Sequence, residues 1–419
     1  MKLLWYGETP FISTGASQVS AHLLPVFHEF FDEIHICAIN QTWQEDNLPA
    51  WLTITQASQE DIWTSAEARK YIAACDYDVL FLTTDLNRIS DLAAEIQVAK
   101  AAQKPIVMYA AMDTHIFQPS FWQVLKLADV PIVFSEWCAR HAALMGIEAR
   151  TIYHGCEPDV FYPLSIIERR LLRSQLFDID SDETFLVLNV NRNQVRKDLA
   201  RSMAAFHLFH LEHPDSLLYL HSKPQDLGGS LPAQAAVLGL SRQEIAFATG
   251  DLHESIGASR ADLNRIYNCA DVCISTSTGE GWGLTTTEAM AAGVPFIGPD
   301  NTVFPEILGA YTPDGWTGYT VANRGLLVES GGPDLWATFY GISDNPRALC
   351  STTGMRGALK DVWNFPGMAA MRARAAREWT IAHRWEIVLD QWRDVLAGVV
   401  QHAAQKRLFA RLNQQQYTH

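Results

Sequence analysis

The chain lacks a regular cysteine pattern, because its cysteines are scattered and odd in number. Its 419 residues include seven, with no Cys-x-x-Cys pair, so neither a disulfide framework nor a zinc knuckle is predicted. Reduced thiols in the cytosol are the plain interpretation. No segment approaches the roughly eighteen apolar residues of a membrane-spanning helix. The start, Met1–Gly7, is too short for the apolar region of a signal peptide and predicts a strand, so we expect a cytoplasmic protein.

Signatures of several other kinds of site are also missing. The sequence has no P-loop, no His-Glu-x-x-His and no Gly-x-Ser-x-Gly. Asp178 and Asp180 form an Asp-x-Asp pair, but it lies in a polar link between the two halves of the chain. The histidines His207, His210 and His213 end a predicted helix, where the helix dipole favours them. We therefore predict no bound metal.

Positive charge is scarce in the first half. The formal net charge is −15, and residues 1–164 carry about −11 of it. A nucleic acid binding to this half would meet like charge. Residues 367–419 carry about +4 instead. Lys406, Arg407 and Arg411 could touch anionic lipid, which leaves a peripheral membrane contact open, although a solvated face is the more expected interpretation.

The length indicates two domains, because a single core seldom serves a chain of this size. Short apolar segments alternate with helix-length segments up to residue 164, and the alternation restarts at Thr184–Val190. This pattern predicts an α/β fold with parallel, doubly wound sheets. We predict two facing Rossmann-like domains, residues 1–164 and 165–378, and a helical tail, residues 379–419. Ligands of such sheets bind at the carboxyl ends of the strands, so an interdomain cleft is the expected site.

A glycine-rich turn in the second half carries the strongest functional signal. Three glycines in alternate positions, the last of them Gly283, let the backbone bend sharply after a short apolar strand. A helix is predicted to begin near Leu284 or Thr285. Its first N–H groups lack partners within the helix and carry the positive end of the dipole. A diphosphate group would therefore bind at this turn.

Two glutamates bracket the same turn. Glu280 precedes it, and Glu288 falls about one turn into the helix. Glu288 can accept hydrogen bonds from ribose hydroxyls, and Glu280 can reach the sugar end of a nucleoside diphosphate sugar. The competing interpretation is an ordinary helix cap at Thr285–Thr287 with solvated glutamates. A cap needs neither three glycines nor both acids, so the binding site is favoured.

Basic side chains follow the first strand of the second domain. Arg192 and Lys197 lie five positions apart in a strand-to-helix loop. A planar guanidinium and a compact ammonium together suit a diphosphate whose charge grows as it departs. A solvated charged loop is the alternative, and Arg196 is expected to be the solvated member.

Two loops of the first domain are weaker candidates. Gly15 follows the first strand and could bring backbone N–H groups to the nucleoside diphosphate sugar from the opposite domain, although an ordinary strand-to-helix connection remains open. Asp113 and His115 follow a buried strand, and either could touch an acceptor hydroxyl or the transferred sugar. A local Asx turn explains Asp113 about as well.

Most of the chain resembles the retaining glycosyltransferases of family 4. The most specific part is the Glu-x7-Glu segment from Glu280 to Glu288, with its Gly-Trp-Gly turn and following helix. Asn191–Gln194 together with Lys197 is similar to the donor-binding arginine and lysine of that family. Ile152–Pro163 resembles the linker that enters the second domain.

The resemblance implies the GT-B fold, in which the last helix crosses back to the first domain. Trp379, Trp385 and Trp392 have spacings that can share one face of such a tail helix. Two segments depart from the family pattern. Ser13–Gly15 stands where a pair of glycines is commoner, and Asp113–His115 stands in place of the usual His-Asp.

The resemblance also implies roles for individual residues. Arg192, Lys197 and Glu288 would bind the nucleotide diphosphate, and Glu280 would hold the sugar. The family needs no metal, and no cofactor is expected. We therefore predict a retaining, metal-independent glycosyltransferase that moves a sugar from a nucleoside diphosphate sugar to a hydroxyl of a glycan, lipid or small molecule.

Three other functions remain open. One keeps the chemistry but places the acceptor on nucleic acid, such as a modified base in phage DNA, and the acidic first half argues against it. Another is a non-catalytic scaffold that binds sugar nucleotides. The third is a phosphorylase, which shares the fold but needs a cofactor-anchoring lysine that the sequence does not place.

Overall fold

The computed structural model describes residues 1–114, 119–180, 183–248, 258–312, 315–316, 323–338 and 345–416. The chain divides into two compact units. Unit 1 comprises Met1–Met112, Gln118–Gly155 and Trp385–His419, and unit 2 comprises Asp113–Phe117 and Cys156–Arg384. The domain limits at residues 164 and 378, which we read from the sequence pattern, stay predictions.

Unit 1 is built on a parallel sheet. The strands are β1 (Lys2–Glu8), β2 (Glu33–Ile39), β3 (Leu52–Thr55), β4 (Val79–Thr83), β5 (Ile106–Ala110), β6 (Val130–Val133) and β7 (Arg150–Thr151). The helices are α1 (Gly15–His28), α2 (Ser65–Ala74), α3 (Leu86–Ser90), α4 (Ala93–Ala101), α5 (Pro119–Leu125) and α6 (Glu136–Leu144). Among the described residues the strand order is β3-β2-β1-β4-β5-β6-β7. This is a doubly wound Rossmann-like order, with β1 next to β4.

The last helix of the chain, Trp385–Gln416, belongs to unit 1 and completes its core. Its Trp392 is fully buried and meets Phe81 and Tyr109 edge to face, with ring centroids 5.7 and 4.9 Å apart. Trp392 also contacts Phe27 of α1 at 5.5 Å. Aromatic pairs of this geometry stabilise a core beyond the area that they bury. The predicted return of the C-terminal helix to the first domain is confirmed.

Unit 2 repeats the α/β pattern. Its first elements are α7 (Ile166–Phe177), β8 (Phe185–Val190), α8 (Leu199–His210), β9 (Ser216–His221), β10 (Gln225–Asp226), β11 (Gly229–Ser230), α9 (Leu231–Val237), β12 (Ile245–Phe247), α10 (Arg260–Cys269) and β13 (Val272–Ile274). They are followed by α11 (Leu284–Ala291), β14 (Phe296–Pro299), α12 (Phe304–Ile307), β15 (Tyr311–Thr312), β16 (Gly315–Trp316), β17 (Leu326–Val328), β18 (Trp336–Thr338), β19 (Pro346–Ala348), α13 (Thr352–Asn364) and α14 (Pro366–Ala382).

The main sheet of unit 2 places two functional loops side by side. Its described strands run in the order β12-β9-β8-β13-β14-β17, and every pair in it is parallel. Val187 of β8 lies opposite Val272 of β13, so these two strands are neighbours. Because both run in the same direction, the loops at their carboxyl ends meet at the same edge of the sheet. The predicted pair of Rossmann-like units is confirmed.

One detail of the tail prediction is wrong. Trp379, Trp385 and Trp392 do not share a helix, because α14 ends at Ala382 and the last helix begins at Trp385. His383 caps α14 with a non-helical backbone, and Arg384 forms a β-bridge with Cys156. The break in the chain therefore separates Trp379 from the other two tryptophans.

Candidate functional site

The glycine-rich turn leads into α11 as the sequence predicts. The helix begins at Leu284, and Gly283 is its N-cap residue with φ +91°, in the left-handed region that favours glycine. As a glycine, Gly283 has no side chain that could cap this end of the helix. The positive end of the helix dipole at Leu284 and Thr285 is therefore suited to an anion. The predicted contacts of Gly283, Leu284 and Thr285 with a ligand stay predictions.

Glu280 lies in the turn before α11 and is buried, with 7% of its surface exposed. Its Oε1 accepts a hydrogen bond from Lys197 Nζ, and its Oε2 lies 3.1 Å from Arg196 Nη1. Its backbone N–H donates to Thr302 Oγ1 at 3.0 Å. Burial raises the pKa of Glu280, but the charges of Lys197 and Arg196 outweigh burial and bring the pKa down to about 2. Glu280 is therefore an ionised carboxylate held by two cations.

The loop after β8 positions the two cations. It contains a 3-10 turn over Val195–Lys197, and its backbone is bonded to the loop after β13. Arg196 O accepts from Thr278 N at 2.8 Å, and Asp198 O accepts from Thr276 Oγ1 at 2.8 Å. Burial lowers the pKa of Lys197 to about 8, although the neighbouring Glu280 acts in the opposite direction.

Arg192 is not part of this charge cluster. Its side chain is 59% exposed, and its Nε donates to Asp226 Oδ2 at 2.9 Å. The expectation that Arg196 is the solvated member of the loop is wrong, because Arg196 is 27% exposed and contacts both Glu280 and Gly279 O. The backbone bonds to Thr278 hold Arg196 against the glycine turn, and no spacing rule in the sequence indicates them.

Glu288 lies one turn into α11, where Tyr267 of α10 orients it. The Tyr267 hydroxyl donates to Glu288 Oε2 at 2.8 Å and also lies 3.2 Å from Thr285 O. Burial raises the pKa of Glu288 to about 7, while the Tyr267 hydrogen bond opposes this rise. Tyr267 is a site residue that no sequence motif indicates, because it lies 21 positions before its partner in an ordinary amphipathic helix.

Asp113 belongs to unit 2, although it follows β5 of unit 1 in the chain. Arg347 of β19 donates from Nη2 to Asp113 Oδ1 and from Nη1 to Asp113 O, both at 3.0 Å. Arg196 Nε lies 3.9 Å from Asp113 Oδ2. Asp113 therefore joins the cluster of Glu280, Lys197 and Arg196. Arg347 is a site residue that no sequence motif indicates. His115 lies outside the described residues.

Gly15 is the first residue of α1 in unit 1. Thr14 caps this helix by accepting a hydrogen bond from Ser17 N at 3.1 Å. The structure thus places Gly15 at a helix N-terminus, and its contact with a ligand stays a prediction. The expected location of the site in an interdomain cleft also stays a prediction.

Two features are absent from the described ranges. No helix in them is long and apolar enough to cross a membrane. No group of three or more His, Cys, Asp or Glu side chains in them could hold a metal ion. In the Asp-x-Asp pair, Asp178 is the C-cap of α7 and Asp180 accepts a hydrogen bond from Ser174 Oγ.

Comparisons with known proteins agree with this picture. The family model for Glycosyl transferases group 1 matches residues 230–338, a stretch within unit 2 that includes the glycine turn and α11. The chain is 24% identical over 345 residues to the putative glycosyltransferase EpsD of Bacillus subtilis (strain 168), covering 74% of this chain and 82% of that protein.

Solved structures share the fold over nearly the whole chain. A sucrose-phosphate synthase from Thermosynechococcus elongatus superimposes with a TM-score of 0.65 at 18% identity, covering 98% of this chain and 99% of that one. A glycosyltransferase from Rickettsia africae ESF-5 gives a TM-score of 0.65 at 14% identity, covering 95% and 98%. The GT-B fold is thereby confirmed. The family match and the relative support an enzyme of the glycosyltransferase class with a nucleotide-sugar donor.

Proposed function

We propose that the chain is a retaining, metal-independent glycosyltransferase, similar to those of family 4, that moves a sugar from a nucleoside diphosphate sugar to an acceptor hydroxyl. One observation carries the proposal. In unit 2, Arg196 and Lys197 hold the Glu280 carboxylate at the turn that leads into α11, and Glu288 lies one turn further on. Cations, a helix N-terminus and two acids thus occupy neighbouring loops at one sheet edge.

The diphosphate is the group that this charge suits best. It gains negative charge as the bond to the sugar breaks, so fixed positive groups stabilise the transition state more than the ground state. Arg196, Lys197 and the N-terminus of α11 supply such groups without a metal ion. Arg192 would join them once its guanidinium turns from Asp226 to the ligand.

The two glutamates would bind opposite ends of the donor. An ionised carboxylate only accepts hydrogen bonds, so each is suited to sugar hydroxyls. Glu288, oriented by Tyr267, would accept from the ribose. Glu280 would accept from hydroxyls of the transferred sugar through the lone pairs that Arg196 and Lys197 leave available.

The proposed retention would come from attack on the same face and not from a covalent sugar–enzyme intermediate, because Glu280 is a weak nucleophile. Both of its oxygens already accept from cations, so we infer that it forms no covalent bond to the sugar. The bond from the anomeric carbon to the diphosphate oxygen breaks first, and the acceptor oxygen then forms its bond on the same face. The acceptor proton passes to the departing diphosphate. Asp113 and His115 would act on the acceptor side, and Gly15 would bring backbone N–H groups to the donor. The acceptor would be a glycan, a lipid or a small molecule in the cytoplasm.

A panel of uridine, guanosine and adenosine diphosphate sugars tests this function. A donor at a hundred times its Kd should stabilise the protein by about 2.7 kcal/mol in a thermal-shift assay. The Lys197→Ala variant should lose most of that shift. Lys360→Ala is the matched control, because Lys360 is a partly exposed lysine of unit 2 that pairs with Glu212.

Product analysis with the donor so identified tests the mechanism. Transfer should continue in excess chelator, and NMR of the first product should show the anomeric configuration of the donor. An inverted product would refute retention, and activity lost with the chelator and restored by a divalent ion would refute metal independence. Donor binding without turnover would favour the hypothesis of a non-catalytic sugar-nucleotide-binding scaffold. Tight binding to duplex DNA at low salt would favour the hypothesis that the acceptor is a nucleic acid.

A further inference from the structure

Strand β19 holds two consecutive residues of the loop that follows β5. Arg347 is 2% exposed and donates one hydrogen bond to the carbonyl oxygen of Asp113 and one to its carboxylate, each at 3.0 Å. Thr114 is fully buried, and its hydroxyl donates to Pro346 O at 3.0 Å. Three hydrogen bonds between this segment and β19 thus hold the backbone and side chain of Asp113 and the side chain of Thr114 within unit 2.

A row of alternating charges runs from Arg347 to Lys197. Arg347 contacts Asp113 at 3.0 Å, Asp113 lies 3.9 Å from Arg196, and Arg196 lies 3.1 Å from Glu280. Lys197 contacts the other oxygen of Glu280 and ends the row. The row of three cations and two carboxylates carries one net positive charge, and a change at one end alters the partners available at the other.

The backbone of the glycine turn reinforces this arrangement. A Cβ atom added to Gly279 would collide with the carbonyl oxygen of Asp113, which is the same atom that accepts from Arg347 Nη1. The close approach brings Asp113 next to the residue that precedes Glu280. The position of Asp113 is therefore coupled to the turn by packing as well as by charge.

We propose that Arg347 is a positioning residue, which holds Asp113 so that Arg196 stays on Glu280. The inference rests on the proposed function, because it gives Asp113, Arg196 and Glu280 a place in sugar transfer. Arg347 contacts Asp113 more closely than Arg196 does, at 3.0 Å against 3.9 Å. Without Arg347, the Asp113 carboxylate would be drawn to Arg196 and would pull it from Glu280.

The two contacts of Arg347 demand a guanidinium. One guanidinium nitrogen donates to the backbone carbonyl of Asp113, and a second donates to its carboxylate. A single ammonium group at the same position cannot make both hydrogen bonds in this geometry. A lysine at this position would keep the positive charge but lose the paired nitrogen donors of the guanidinium. The Arg347→Lys variant should therefore recover only part of the function that Arg347→Gln loses.

A double-mutant cycle in the full-length chain tests the proposal. The variants are Arg347→Gln, Asp113→Asn and the two combined, assayed with the donor found in the nucleotide-sugar panel. Arg347→Gln should lower kcat by about tenfold to a hundredfold, because small displacements of reacting groups have effects of this size. The Kd of the nucleoside diphosphate should change less than about threefold, since Lys197, Glu288 and α11 remain in place.

The cycle also separates positioning from simple structural support. The double variant should have about the same kcat as Asp113→Asn alone, because Arg347 acts through Asp113. Arg265→Gln is the matched control, since Arg265 is an exposed arginine of unit 2 paired with Asp262, and it should keep wild-type kcat. If Arg347→Gln does not fold, Arg347→Lys replaces it in the same cycle.

Each outcome decides a different question. Multiplied losses in the double variant, or a wild-type kcat in Arg347→Gln, would overturn the positioning role while leaving the proposed function intact. A wild-type protein that binds none of the nucleotide sugars would overturn the proposed function and this inference with it. A loss of diphosphate binding as large as the loss in kcat would show that Arg347 serves binding and not positioning.

Discussion

Replacing Glu280 with glutamine is the most informative perturbation of the charge cluster. The carboxylate has a pKa lowered from 4.5 to about 2, which corresponds to about 3 kcal/mol of stabilisation of the ionised form at neutral pH. Removing it takes away the carboxylate that contacts both Lys197 and Arg196 and leaves Asp113, at 3.9 Å, as a weaker partner of Arg196. Breaking a buried pair in this way has effects of about 3–5 kcal/mol. We therefore expect Glu280→Gln to lower the free energy of unfolding by about 3 kcal/mol.

Differential scanning calorimetry can measure the loss. Unit 2 has about 230 residues, for which 1 kcal/mol shifts Tm by about 2–4 °C, so the expected shift is about 6–12 °C. Glu212→Gln is the matched control, because Glu212 pairs with Lys360 at an exposed position, and no resolvable shift is expected. The double variant Lys197→Met with Glu280→Gln should be more stable than Glu280→Gln alone, since it also removes the buried Lys197 charge that lost its carboxylate partner.

The pH dependence of the unfolding free energy gives an independent check that ionised Glu280 stabilises the folded protein. A carboxyl group with a depressed folded-state pKa stabilises the protein above its unfolded pKa of 4.5, and that contribution disappears as pH falls toward about 2. The difference between wild type and Glu280→Gln should therefore shrink as pH falls below about 4.5 toward about 2. A variant whose Tm matches that of the Glu212→Gln control would refute the reasoning.

Three further outcomes are expected. Because burial raises the pKa of Glu288 to about 7 and the ionised carboxylate is the stronger acceptor for ribose hydroxyls, donor affinity should be up to about fivefold weaker at pH 6 than at pH 7 by titration calorimetry. Tyr267→Phe should move this dependence to higher pH, and an unchanged profile in Glu288→Gln would contradict the assignment. Gly283→Ala should lower stability by about 1–3 kcal/mol in thermal unfolding, because φ is +91° there, and no loss would mean that the turn adapts. Arg196→Gln should reduce kcat/KM for transfer more than Arg192→Gln does, since Arg192 is the more exposed of the two, and the reverse order would favour the role that the resemblance assigns to Arg192.

Much of the fold could be predicted because it depends on local periodicity. Alternating apolar segments and helix-length segments indicate parallel sheets without any tertiary information. The start of α11 at Leu284 was equally accessible, because glycine is the residue that adopts the backbone of Gly283 and so marks where the helix begins. By contrast, the break at His383 depends on the bridge between Arg384 and Cys156, which no local pattern indicates.

The partners within the site were much harder to predict. Arg347 meets Asp113 across 234 positions of sequence, and nothing in the β18–β19 hairpin marks this arginine as functional. Tyr267 looks like one more core aromatic until its hydroxyl is seen on Glu288. The choice between Arg192 and Arg196 depends on backbone hydrogen bonds between two loops, which spacing along the chain does not encode.

The sequence by itself determined the class of fold and the acids and bases around the glycine turn, because strands, helices and helix ends follow from neighbouring residues. Tertiary structure alone decided which arginine joins Lys197 at Glu280, and which cation holds Asp113. Those pairings depend on how parallel strands and a distant hairpin bring separate loops to one sheet edge, where a few ångströms decide which charges are partners.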